Sequence, residues 1–278
     1  MKQNFIWILR VLGICVLCAG LVMVWLFLEN RQVSHDAEFI FVGTQSDADC
    51  TIIHSGEYCI LVDTGEDVDA PAILRELQER NISQIDCLIL THPDQDHVGG
   101  AAALIDTFKI REVIVPYYVG EKHIYNTLIN TLQQKRIPIY TMARARQLVF
   151  GDLNLMIFPP EDFYYSQSND YSLAIMAKHG DTTLFFAGDA EEKRIRELLK
   201  LELPSQVSLY KVARHGRYDA ESVALIKRLS PEIAVITASQ ADPEIDAALH
   251  ALDAVIYYTV QSGARFVSDG MHLYPQSP

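Results

Sequence analysis

Residues His92 to His97, "HPDQDH", place two imidazoles and two carboxylates within six positions, just after the apolar run "CLIL" and just before the pair Gly99–Gly100. Imidazole nitrogen suits zinc and its neighbours, and carboxylate oxygen suits harder ions such as manganese. Without a cation the loop works against itself, because crowded carboxylates repel one another and lose solvation. The spacing therefore predicts a metal-binding loop that leaves a coordination position open for water, which is the basis of metal-assisted hydrolysis. A charged turn formed by chance is the plain alternative.

A metal centre needs rigid supports, and the sequence supplies them where strands end. Asp63 closes "ILVD", His92 closes "LILTH", Asp189 closes "LFFAGD" and His215 closes "YKVARH". Each follows an apolar run and precedes a loop or helix, so the backbone can hold the side chain in place. Around them, "EFIFVG", "CTIIHS" and "YCILVDTG" read as strands, the last two joined as a hairpin. The segment "DAPAILRELQERN" reads as a helix capped by Asp69, with Pro71 in its first turn and Asn81 as its stop. Further helices are expected at "GGAAALIDTF", "HIYNTLINTLQQK", "EEKRIRELLK", "AESVALIKRLS" and "PEIDAALHAL". Strands are expected at "EVIVPYY", "QLVFGD", "LNLMIFPP", "VSLYKVARHG", "EIAVITAS" and "VIYYTV", with a hairpin turning at His179 to Asp181. Strands interspersed with helices predict a layered α/β or α+β body.

The chain has 278 residues, 49% of them apolar, and a formal net charge of −13 with a pI near 5.1. That supports a sizeable core and argues against a partner such as long nucleic acid, whose phosphates are bound by clustered Lys and Arg. No residue from Val11 to Leu28 is charged. As a helix this stretch would rise about 27 Å, close to the thickness of a bilayer's hydrocarbon core. It ends in Trp25, Phe27, Leu28 and Glu29 with no small-x-small cleavage site, which favours a retained anchor over a cleaved signal peptide. Lys2 and Arg10 precede the span, so the bulk of the chain is expected outside the cytoplasmic membrane. The expected organisation is an anchor over residues 1–29, a linker over 30–37 and one hydrolase domain over 38–278. Cys50, Cys59 and Cys87 are odd in number and show no zinc spacing, so no disulfide framework is expected.

From about Glu38 to Tyr274 the chain resembles the metallo-β-lactamase superfamily, on "LVDTG", "THPDQDHVGG", "FFAGDAEE" and "VARHG" in that order. Within it, the "HPDQDH", "NDYSL" and "AGDAEE" segments are most similar to the metallo-hydrolase domain of ComEC-type competence proteins. The resemblance implies an α+β, four-layer αβ/βα sandwich with two divalent ions at its edge, zinc first and manganese as the rival. His92 and Asp94 would serve one ion, Asp96 and His97 the other. Asp189 would bridge them, His215 would complete the second, and Asp63 would orient the ligands from behind. Gly99 and Gly100 would let the next helix start close to the ions.

Two departures from the superfamily bear on function. Asp94 stands where most members carry histidine, which hardens that position toward oxygen-preferring ions. Where many members supply a third histidine before the bridging aspartate, this chain offers Asn169 or Asp170. Three carboxylates against two dications would leave about one positive charge, suited to an anionic phosphodiester attacked by a metal-bound hydroxide whose pKa lies at roughly 7. Arg214 and Arg217 flank His215 and could bind phosphate; Tyr117, Tyr118 and His123 could line the mouth. The expected function is thus a membrane-anchored, metal-dependent hydrolase of small or polymeric phosphodiesters. A carboxylic ester, lactone or amide hydrolase and an inactive binding module are the alternatives.

Overall fold

Alternation along the strands decides how the layers stack. In the strand Tyr58–Val62, Ile60 and Val62 enter one apolar cluster while Cys59 and Leu61 enter another. The strand Thr182–Phe186 divides the same way, with Leu184 and Phe186 on one face and Phe185 on the other. Strands apolar on both faces must be covered on both faces. Two such sheets satisfy this by packing on each other and taking helices outside.

The computed structural model describes residues 35–276 and the isolated Gly20. The expected anchor over Val11–Leu28 lies outside the described residues. Among those described, no helix is long and apolar enough to cross a membrane.

The strands in chain order are β1 (Ala37–Phe41), β2 (Thr51–Ser55), β3 (Tyr58–Val62), β4 (Gln84–Ile85), β5 (Cys87–Ile89), β6 (Lys109–Ile110), β7 (Val113–Pro116) and β8 (Ile139–Met142). They continue as β9 (Arg146–Phe150), β10 (Leu153–Phe158), β11 (Ala174–His179), β12 (Thr182–Phe186), β13 (Leu209–Lys211), β14 (Ile233–Ile236), β15 (Val255–Tyr258), β16 (Ala264–Ser268) and β17 (Leu273–Gln276). One sheet has the order β17-β16-β1-β2-β3-β5-β7-β8 and the other β15-β14-β13-β12-β11-β10-β9; β4 and β6 form a small separate pair.

Each large sheet is antiparallel in its first part and parallel in its second. Strands β3, β5, β7 and β8 run parallel, connected through helices Ala70–Glu79, Ala101–Thr107 and His123–Gln134. Strands β12 to β15 run parallel through Glu192–Leu198, Ser222–Leu229 and Pro243–His250. The apolar cluster containing Phe39, Phe41, Leu155 and Phe186 lies between the sheets, and two further clusters seat the helices outside. This is the expected four-layer sandwich.

Parallel strands deliver their C-terminal ends to one edge, which is where open α/β sheets place their sites. Local differences from the expectation concentrate at that edge. Strand β13 stops at Lys211 instead of running on through "VARHG", because Arg214 and His215 turn into the left-handed region. The expected helix at "GGAAALIDTF" is preceded by a separate turn of helix, Gln95–Val98. Strand β8 was not expected. The helix over Ala70–Glu79 forms as read and Asn81 ends it in a left-handed conformation, but the Asp69 carboxylate accepts from the backbone of Gln45 and Glu66 and makes no cap bond to this helix. Cys50, Cys59 and Cys87 are free and buried.

Candidate metal centre

The centre is assembled from four strand ends, two per sheet. Asp63 follows β3 with φ 60°, a left-handed conformation that aspartate tolerates better than most residues. Its carboxylate accepts from the Thr91 amide at 2.7 Å, from the Thr91 hydroxyl at 2.7 Å and from His97 Nδ1 at 2.8 Å. One buried side chain therefore fixes both the start of the 92–97 loop and the ring of His97. The Thr91 hydroxyl gives its hydrogen to Asp63, so His92 Nδ1, 3.1 Å away, must be the donor to Thr91. His92 Nε2 then carries a free lone pair.

Asp94 is extended and caps the short helix Gln95–Val98, with its carbonyl accepting from the His97 and Val98 amides. The turn of helix brings Asp96 and His97 round toward the second sheet. Gly100 is required for the approach, but not to the metals as the sequence suggested: a Cβ there would lie 2.2 Å from the Thr64 carbonyl, so it lets this helix pack on the loop after Asp63.

From the second sheet, Asp189 leaves β12 through Gly188, whose φ of +55° and closeness to Ser172 exclude a side chain. The Asp189 amide donates to Ser172 Oγ at 3.0 Å. Arg214 and His215 are both left-handed, with φ of 53°, and such conformations cost non-glycine residues roughly 1–2 kcal/mol each. The Arg214 amide donates to the Gly188 carbonyl, and the amide of Asp242 to the carbonyl of Gly216. These bonds hold the strained corner that aims His215 inward. His215 Nδ1 lies 3.0 Å from Thr237 Oγ1 and 3.3 Å from Asp49 Oδ1, which leaves Nε2 facing the centre.

The result is a convergent set. Ligand atoms of Asp96, His97, Asp189 and His215 all lie within 4.8 Å of one another. His97 Nε2 is 3.3 Å from Asp189 Oδ1, and His215 Nε2 is 3.2 Å from both Asp189 Oδ2 and Asp96 Oδ2. His92 stands against His97 with ring centroids 4.0 Å apart. His92 Nε2, His97 Nε2 and Asp189 Oδ1 are buried without a hydrogen-bond partner. Buried polar atoms left without a partner are costly. Three imidazoles with Nδ1 held from behind and Nε2 presented form the pattern that metal-ligating histidines take, so the residues fit a divalent ion.

The electrostatics agree. Burial opposes the charging of His97, yet the carboxylates of Asp189, Asp63 and Asp49 outweigh it and hold the ring well above the usual histidine range. His215 behaves likewise beside Asp189 and Asp49. Burial also opposes ionisation of Asp189, but His215 and His97 keep it well below the carboxylate range. These shifts are one attraction seen from several ends: the carboxylates demand positive charge, and protons on the imidazoles supply it where a metal would. His92, pushed down to about 4 by burial and by His97, stays neutral.

Two residues of the centre went unread in the sequence. Asp49 lies buried behind His97 and His215, and Lys211 Nζ forms a close ion pair with its Oδ2. Burial opposes ionisation of Asp49, and the Lys211 ammonium with His215 and His97 reverses this and pulls it below its ordinary range. The available signal was a lysine within the otherwise apolar run "VSLYKVA". Asp49, one acid among several in "SDADC", carried none.

The remaining predicted residues are placed less centrally. The Asp94 carboxylate is taken by Lys122 Nζ at 2.5 Å and the Ser168 hydroxyl at 3.0 Å, and it does not join the convergent set. Asn169 donates to Glu191, and Asp170 accepts from the Arg194 amide at the start of helix Glu192–Leu198, so neither stands in for the third histidine. Arg214 pairs with Glu191 and Asp219, and Arg217 with Asp47. Tyr118 packs edge-on against Tyr125 and Tyr171, a packing role, whereas Tyr117 is exposed and meets Phe163. His123 is exposed at the start of its helix.

Comparison with known proteins agrees with this architecture. Residues 43–239 match the metallo-beta-lactamase superfamily, and the chain belongs to that superfamily. It is similar to ComE operon protein 3 of Bacillus subtilis (strain 168), 26% identical over 164 residues, which are 59% of this chain and 21% of that protein. It is also similar to Recombination protein 2 of Haemophilus influenzae, 25% identical over 236 residues, 83% of this chain and 27% of that protein. The chain thus spans only about a quarter of the length of these relatives. Among solved structures, the metallo-beta-lactamase fold protein YhfI from Bacillus subtilis matches 84% of this chain and 100% of its own, with TM-score 0.58 and 12% identity. Igni18, a metallo hydrolase from the archaeon Ignicoccus hospitalis, matches 84% and 98%, with TM-score 0.52 and 14% identity. At those identities the likeness is one of fold.

Proposed function

We propose that this metal-dependent hydrolase cleaves phosphodiester bonds, and that the apolar segment Val11–Leu28 holds it on a membrane with the domain outside the cytoplasm. The observation that carries the metal dependence is the convergence of buried, unpartnered Nε2 and carboxylate atoms on one point. The choice of phosphodiester is supported by a relative named for recombination, a process carried out on nucleic-acid chains. The net charge of −13 weighs against tracking along a long duplex and favours short or exposed phosphodiesters.

In this reading Asp96, His97, Asp189 and His215 hold a divalent ion. Asp63 sets the tautomer of His97, and Thr237 Oγ1, with the Asp49 carboxylate beside it, faces Nδ1 of His215, so that each ring presents Nε2. Lys211 keeps Asp49 ionised in a buried place. What the ion supplies is a water acidified to a pKa of roughly 7 and a polarised scissile bond. Asp96 is the more solvent-exposed of the two carboxylates in the set, so substrate would enter from its side.

The test uses the full chain in detergent, stripped with a chelator and reloaded with zinc or manganese. Turnover of a bis-aryl phosphate that exceeds turnover of an aryl ester and a lactone, and that is lost on chelation, is the expected result. Ester or lactone turnover without phosphodiester cleavage would transfer the assignment to the other hydrolase class. No retained metal with either ion would remove the enzyme reading.

A further inference from the structure

We infer that Lys122 supplies the second cation of this centre, so that the chain holds one divalent ion tightly, at Asp96, His97, Asp189 and His215, and excludes a tight second ion from the side of His92 and Asp94. The inference rests on the metal-dependent reading above.

Asp94 is held by one ion pair and one hydrogen bond. Oδ1 meets Lys122 Nζ at 2.5 Å, Oδ2 accepts from Ser168 Oγ at 3.0 Å, and Lys122 Nζ also donates to that same Ser168 Oγ at 2.9 Å. The three side chains close a small ring of two hydrogen bonds and one ion pair across segments 74 residues apart in sequence. The supporting backbone is itself anchored. Tyr118, four residues before Lys122, packs edge-on against Tyr171 and Tyr125 at 5.0 and 5.3 Å, and buried Arg194 binds the Ser172 carbonyl. Lys122 also sits at the N-cap of the helix His123–Gln134, where the helix dipole disfavours a positive charge. That placement is stable when a carboxylate faces it, and Asp94 does.

Charge leads to the same point. Lys211 matches Asp49 and Lys122 matches Asp94. Asp63 is turned away from the centre, toward Thr91 and His97 Nδ1. The carboxylates left facing inward are Asp96 and Asp189, whose two negative charges match one dication. A second ion at His92 would have the His92 nitrogen and a share of Asp189, with the Asp94 carboxylate already paired to an ammonium. Histidine at position 94 could not have paired with Lys122 in this way; the aspartate makes the lysine possible.

The test is metal stoichiometry and manganese electron paramagnetic resonance on the full chain in detergent, stripped and then titrated with Mn2+. The wild type should retain one ion after desalting and give the spectrum of an isolated Mn2+. Lys122→Met should retain a second ion, bound at least about tenfold more tightly than in the wild type and spin-coupled to the first; this is the size of repulsion between a unit charge and a dication a few ångströms apart even in a water-like dielectric. Lys122→Arg, which keeps the charge, should stay at one ion and controls for damage to the loop. Two tight, coupled ions in the wild type would overturn the inference while leaving the hydrolase reading standing. One ion in a folded Lys122→Met protein would overturn it equally. No ion in any of the proteins would sink both readings.

Discussion

Two lysine–aspartate pairs flank the cluster, and they differ in depth. Lys211 and Asp49 are both buried, behind the rings of His97 and His215. The Lys122 and Asp94 side chains keep 37% and 21% of their exposure, at the mouth of the site. The same chemical pair therefore does different work in the two places. Water cannot replace either partner of the deep pair, so that pair fixes geometry. At the mouth, solvent or an anionic substrate can approach the partly exposed Lys122, which makes that pair adjustable while Asp94 stays occupied. Rigidity behind the ligands and adaptability in front of them is the arrangement a hydrolytic centre needs.

The sharpest way to break the comparison is to remove the same lysine atom from each pair. Lys211→Met leaves Asp49 buried without its cation, and breaking a buried pair from one side costs about 3–5 kcal/mol. In a domain of this size each kcal/mol moves Tm by roughly 2–4 °C, so thermal unfolding of the metal-free protein should fall by about 6–20 °C. Lys122→Met removes a half-exposed pair worth up to about 1 kcal/mol and should lower Tm by no more than about 4 °C. Equal losses in the two variants would erase the distinction.

Next in size is the support behind His97. Asp63→Asn keeps the volume but exchanges one carboxylate oxygen for an NH2 group, which cannot accept from both Thr91 and His97 Nδ1. Changes behind a ligating histidine typically cost ten- to about a hundredfold in metal affinity, and competition with a chromogenic chelator would measure it. Retained affinity would mean that Asp63 does not set the ring's tautomer.

The proton-holding imidazoles give a pH test of the same deep region. In the metal-free protein His97 and His215 have raised pKa values. Their contribution to stability is thus fully present below the unfolded value of 6.5 and is lost as pH rises through the folded values. His92, depressed to about 4, works the other way and costs stability as pH falls from 6.5 toward 4. Asp189 and Asp49, both lowered, add to that acid limb below their unfolded value of 3.8. The metal-free chain should therefore be most stable near pH 6.5 and weaken toward alkaline pH. Metal binding takes the place of those protons, so the loaded protein should lack the alkaline limb. The gap in Tm between loaded and metal-free protein should widen from pH 6.5 to about 8.5, and a constant gap would show that the imidazoles hold no extra proton.

How much of this was legible follows from the kind of signal each residue sends. His92, Asp96 and His97 stand out as ligand-type residues crowded into one loop, and the resemblance joins Asp189 and His215 to them; the fold brings Asp96, His97, Asp189 and His215 together. A layered body is legible in strands interspersed with helices, while the four-layer order is what the resemblance implies, and β3, β5 and β12, apolar on both faces, meet it. Asp49 and Lys211 could not be read, since their meaning is a pairing between residues 162 positions apart, which no local pattern encodes. Asp94 was read as a ligand by its company in the loop, and only the fold brings Lys122 and Ser168 against it. The end of β13 was misjudged because left-handed backbone at Arg214 and His215 is imposed by tertiary bonds to Gly188 and Thr237, not by residue type.

The smallest effect is expected at Arg217. Its position beside His215 suggests a phosphate clamp, and arginine's planar fork would bind two phosphate oxygens where lysine could not. The guanidinium, however, is turned to Asp47 at 3.0 Å, and both side chains are well exposed, at 58% and 35%. An exposed pair of this kind is worth about 1 kcal/mol at most, so it is no barrier to an arginine that gains more from substrate. Yet the corner that holds it aims His215 inward and continues through Arg217 in an extended conformation, and the observed partner lies on the loop before β2. Arg217→Lys should therefore change phosphodiesterase kcat/KM by less than about twofold and leave metal content unchanged, since only a surface pair is altered. A loss of about ten- to a hundredfold on phosphodiesters, with neutral esters spared, is the signature of a lost charge-assisted bidentate contact. That result would bring Arg217 to the mouth of the centre with Lys122, and the adaptable side of the comparison would then consist of two cations rather than one.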